Sequence, residues 1–161
     1  MRTRLSAVIL CLALFHFAFT TAAKDAGYTV IYDGGSILGL KAGEKLKMYI
    51  ESGGIRLTDE KGKTQVMSIV PSTVTEVSYG QDVHRRVGTA IAVGVFTLGL
   101  GALTALSKSK KHFVGLTWAT GDVKGGFAMQ CDKNDYRGVL AGLEGVTGKK
   151  AVESEAMTVR S

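Results

Sequence analysis

The sequence predicts an α+β fold: an antiparallel bent sheet or small barrel, a C-terminal helix, and an inserted apolar helix or helical hairpin. Three observations predict it. Short β-branched runs, each closed by a turn signal, recur at roughly 8–12-residue spacing through the first half. A second alternating pair precedes a late apolar pattern at i, i+3, i+4 and i+7. Between these regions lie 20 residues without a charge, 87–106. The chain has 161 residues, the size of one domain. Its 45% apolar and 21% charged residues are ordinary globular usage.

The first element is an address rather than part of the fold. Arg2 and Arg4 precede a mostly apolar run, 5–19, and Thr21-Ala22-Ala23 supplies small residues for cleavage. That order is the secretory signal pattern, so residues 1–23 are expected to be removed on export. The run is shorter than the roughly 20 residues that span a bilayer. Cys11 leaves with this segment, and Cys131 then stands without an intramolecular disulfide partner. Alternation through Phe127, Met129 and Cys131 predicts a buried thiol that behaves as a small apolar side chain.

Residues 24–44 read as an N-terminal strand and linker. Tyr28-Thr29-Val30-Ile31-Tyr32 is β-branched and aromatic, and Asp33-Gly34-Gly35 reads as its stop. In 45–51, Leu46, Met48 and Ile50 face one way, with Lys45, Lys47, Tyr49 and Glu51 opposite. Ser52-Gly53-Gly54 turns the chain, and Ile55 and Leu57 continue the inward face. After the charged turn at 59–63 come apolar 65–70, Pro71-Ser72, and a Thr/Val/Tyr-rich strand, 73–79. Val114, Leu116 and Trp118 share a face of a later strand, and 124–131 reads as its hairpin partner. Asp132 to Asp135 is a helix-start cluster. Tyr136, Val139, Leu140 and Leu143 follow at helical spacing, with Gly145 as the expected end. Gly138 and Gly142 each weaken that helix by about 1 kcal/mol relative to Ala, so it must depend on packing, or those glycines permit close approach to the sheet. Residues 149–161 read as a polar, frayed tail.

The segment 87–106 is the informative feature. As one helix it would be about 30 Å long, the thickness of a bilayer core. Val87, Gly94, Phe96, Gly99, Gly101 and Leu106 mark its ends, its centre and its candidate turn. Small residues recur four apart at Gly88/Ala92, Ala90/Gly94, Thr97/Gly101 and Gly101/Ala105, a spacing that lets membrane helices pack closely. Arg85, Arg86, Lys108, Lys110 and Lys111 flank the segment and are candidate contacts to anionic lipid headgroups. A single span would part the early strands from the late hairpin. A hairpin turned at Gly99 and Gly101 would let them share one sheet.

Other chemistry is sparse. There is no GxxxxGK[ST], no strand-linked GxGxxG and no GxSxG. His84 and His112 flank the segment with Asp82 as the nearby acid, a poor match to three- or four-ligand metal sites. The sequence predicts no catalytic residues, no metal and no cofactor. Nucleic acid is a poor partner, because the charge of +6 is modest and the leader points to export.

Ile69-Val70-Pro71-Ser72-Thr73-Val74-Thr75-Glu76-Val77, the later hairpin and the terminal helix together resemble secreted bacterial PH-like (GRAM-like) domain proteins with a glycine-rich apolar insert. The resemblance covers residues 45–148, with 87–106 as the insertion. It implies a bent sheet closed by a helix at 132–144, and binding of lipid headgroups or protein segments. No inositol-phosphate signature accompanies it. Residues 87–106 alone are also similar to glycine-zipper envelope proteins.

The expected function is a non-enzymatic cell-envelope protein, associated with membrane lipids through 87–106. One alternative is a homo-oligomer built on small-residue helix packing. Another is a soluble ligand carrier or enzyme with the apolar segment as core.

Overall fold

The computed structural model describes residues 27–91 and 112–154. Strands β1 (Tyr28–Gly35), β2 (Lys45–Glu51), β3 (Gly54–Asp59) and β4 (Gln65–Ile69) form an antiparallel meander. A 3-10 turn, Pro71–Thr73, leads to β5 (Val74–Tyr79) and helix α1 (Val83–Ala90). Strands β6 (His112–Thr120) and β7 (Val123–Cys131) form a hairpin, followed by helix α2 (Tyr136–Thr147) and the short strand β8 (Val152–Glu153).

All eight strands of the described residues belong to one sheet, in the order β4-β3-β2-β1-β7-β6-β5-β8. β1 joins the two halves, pairing Val30 with Leu46 on one side and with Cys131 on the other. β5 and β6 pair directly, with Tyr79 opposite Val114 and Val74 opposite Trp118. The chain before the apolar segment and the chain after it therefore share one sheet.

One apolar cluster draws side chains from across this order: Met48 on β2, Leu57 on β3, Val77 on β5, Leu116 on β6 and Phe127 on β7. α2 adds Val139 and Leu143 to it. Close approach of α2 depends on its glycines. A Cβ on Gly138 would sit 3.0 Å from the Tyr28 hydroxyl, and one on Gly142 would sit 3.2 Å from Ile50 Cδ1. Helix propensity is sacrificed there for contact with β1 and β2. The helix passes the expected stop at Gly145 and ends at Gly148, whose φ of 67° forms the left-handed cap.

This architecture corrects the predicted fold class. The sheet is mixed rather than antiparallel, because β8 joins β5 in parallel, with Ser78 opposite Val152. Among the described residues two short helices accompany it, and neither is an inserted apolar helix or hairpin. The helix after β5 begins at Val83 and is eight residues long. Val83, Val87 and Ile91 recur at i, i+4 and i+8, so this helix is amphipathic and its stripe is buried against protein. The PH-like α+β assignment does not stand beside one eight-stranded mixed sheet of this kind. No helix among the described residues is long and apolar enough to cross a membrane.

Two smaller expectations also change. Asp33-Gly34-Gly35 does not stop β1 but completes it, with an irregularity in the pairing to β7 between Tyr32 and Gly34. The start of the expected frayed tail is docked: β8 lies on β5, and Ser154 is buried.

Candidate functional site

The apolar segment is attached to the sheet through α1, on a second, smaller core. Val83, Val87 and Ile91 pack with Phe113 and Ala128, residues whose pleat places them on the face opposite Val114 and Phe127. Gly115 makes room for the helix. A Cβ there would sit 2.6 Å from Val83 Cγ1 and 2.8 Å from Val87 Cγ2. α1 lies across β6 and β7 and ends with the Ile91 side chain against Gly126.

Three polar contacts hold this helix. Arg86 donates from Nε and an Nη to the two Glu76 carboxylate oxygens, at 3.0 and 3.1 Å. Those bonds raise the Arg86 pKa above its already high ordinary value, against an opposing effect of burial. At the other end, the Asp82 amide donates to Ser154 Oγ at 3.1 Å, so the docked tail supplies the hydroxyl that the helix start lacks locally. Between them, His84 Nε2 lies 2.7 Å from Asp33 Oδ2. The approach is off the hydrogen-bond axis, and both atoms are buried without an aligned partner, as is His84 Nδ1. The His84 ring also meets Phe113 edge-on, at 5.1 Å between centroids.

The candidate residues thus separate. Arg85 is exposed and available at the surface. Arg86 is committed to Glu76 and is not a free headgroup ligand. Val87 is protein core, as is Ile91, so the start of the predicted membrane segment is packed against protein. Gly94, Phe96, Gly99, Gly101, Leu106, Lys108, Lys110 and Lys111 lie outside the described residues, as do residues 1–23. His84 and His112 do not meet. His112 stacks on Tyr136 of α2 at 4.5 Å, while His84 belongs to the α1 face. Among the described residues no cluster of three His, Cys, Asp or Glu side chains is placed to hold a metal.

Sequence reasoning missed Asp33, Glu76 and Ser154. Asp33 had a signal: it continues the Thr29, Ile31 face of a strand whose other face is apolar. Ser154 had none, because its role exists only once the tail reaches α1. Neither the models of known protein families nor the curated proteins match this chain.

Proposed function

We propose that this is a non-enzymatic cell-envelope protein, exported through residues 1–23 and held at a membrane by the apolar chain that begins after Ile91. Its role is to present the sheet at a lipid surface, with lipid or protein binding there. One observation carries the reading: β5 and β6 are neighbours in the sheet. Ile91 and His112 are therefore parts of one folded body, on one side of any bilayer. Residues 92–106 carry no charge, and they meet a bilayer from that one side. Of the two basic residues before the segment, Arg85 is the one free to meet a headgroup, and Lys108, Lys110 and Lys111 are further candidates.

Fractionation tests the reading. The exported protein should pellet with membranes and stay there through a high-salt wash. Changing both Gly94 and Phe96 to Asp should release it, since a charge at the centre of an apolar segment costs about 2.5–3.5 kcal/mol on insertion scales. Wild-type protein that already remains in the supernatant would sink the proposal. Intact mass of the exported chain checks the address, with cleavage expected after Ala22 or Ala23.

A further inference from the structure

We infer that the β1–β2 loop and the β6–β7 hairpin tip form a second bilayer contact, with Leu38 and Val123 as the side chains that enter the lipid. The inference rests on the membrane reading above and names the end of the domain that meets the lipid.

Leu38 and Val123 are the most exposed large apolar side chains among the described residues, at 88% and 70%. Neither exposure is a loose end. Leu38 stands between Ile37, which is buried in the main core, and Leu40, which packs against it. The loop therefore holds Leu38 outward while its neighbours anchor it. Val123 opens β7 directly after the turn at Gly121, where a φ of 59° reverses the chain.

The two loops are tied side by side. Ser36 N donates to the Gly126 carbonyl at 2.8 Å, and Gly126 N donates to Ser36 Oγ at 3.0 Å. Leu38 lies two residues beyond Ser36, and Val123 three residues before Gly126. The third feature at this place is the end of α1. Val83 and Val87 pack at Gly115, and Ile91 packs at Gly126, which pairs with Thr117. The helix thus advances along β6 towards the hairpin tip, and the chain leaves for its uncharged run beside the same Gly126.

The occupant is a bilayer rather than another protein because that uncharged run starts here. Two apolar tips near its start after Ile91 extend one contact with one solvent. The charges around the tips are mixed. Lys41 and Lys124 are exposed behind them, with Glu44 and Asp122 on the same loops. Apolar insertion therefore carries the contact, and headgroup charge adds little.

The sole tryptophan, Trp118, lies in this hairpin opposite Gly125, and reports on it. The exported full chain is mixed with phosphatidylcholine–phosphatidylglycerol vesicles, with or without brominated acyl chains. Wild-type protein should float with the vesicles, and brominated lipid should quench Trp118. A Leu38→Ser/Val123→Ser variant should keep its circular dichroism and melting transition, since both side chains are exposed. It should lose quenching, and its partitioning should weaken about tenfold for each side chain removed. Flotation of wild type with unquenched Trp118 and unchanged partitioning of the variant would overturn this inference alone. A wild-type dimer that the double variant abolishes would also overturn it, making the tips a contact between copies. No flotation of wild type would overturn the membrane reading and this inference with it.

Discussion

Cys131 shows how one side chain links burial to pH. It is 3% exposed, between Val30 of β1 and His112 of β6. Burial, with a smaller contribution from Asp135, pushes its thiol from 9.0 up to about 12. The folded state thus keeps a proton that the unfolded chain releases. The associated stability is fully present below pH 9.0 and is lost as pH rises towards about 12. Burial raises the Tyr32 phenol as well, opposed by the Ile37 amide, and acts in the same direction above its ordinary 10.0. Thermal melts across pH 8 to 11 should show a falling transition. Cys131→Ala should be less stable at pH 8 but fall less steeply. A thiol reagent at pH 8 should label Cys131 at the rate of unfolding, and immediate labelling of native protein would contradict the burial.

At the scale of elements, α1 is held by parts of the chain far from it in sequence. Ser154 caps its start, Glu76 anchors Arg86, and Gly115 gives it space. Ser154→Ala should cost about 1 kcal/mol and speed hydrogen exchange in α1 before it affects β2 or β3. Gly115→Val should cost more, about 1–3 kcal/mol or above, because the new atoms must displace Val83, Val87 and the Ser78 hydroxyl. Denaturant melts measure both. Arg86→Ala should weaken stability by about 1 kcal/mol, since the pair is partly exposed and screened by salt. Equal exchange in α1 and the central strands of the Ser154→Ala protein would show that the cap contributes nothing local.

For the whole molecule, the β5–β6 pairing separates folding from attachment. Replacing residues 92–111 with a flexible Gly/Ser linker of about ten residues should leave one cooperative melt and the same circular dichroism. Membrane association should fall to the weak level that Leu38 and Val123 alone support. A linker variant that fails to fold would mean that the replaced residues belong to the core. The strand positions were legible in the sequence, because a pleated half-buried strand writes its alternation directly: Leu46, Met48 and Ile50 point inward as their period requires. Helix α2 was legible for the same reason at period 3.6, and of the two roles its glycines left open the fold realises close approach, to Tyr28 and Ile50. The α1 stripe was present too, at 83, 87 and 91, but the uncharged run beyond it masked where protein contact stops. What the sequence by itself determined was therefore the local period of each element and the apolar character of residues 92–106. Tertiary structure alone decided that β8 joins in parallel, that Ser154 caps a helix 72 positions away, and that Asp33 faces His84. Periodicity says which face of a segment is buried. It does not say against what, because a long-range partner is chosen by the shape and free edges of the rest of the fold.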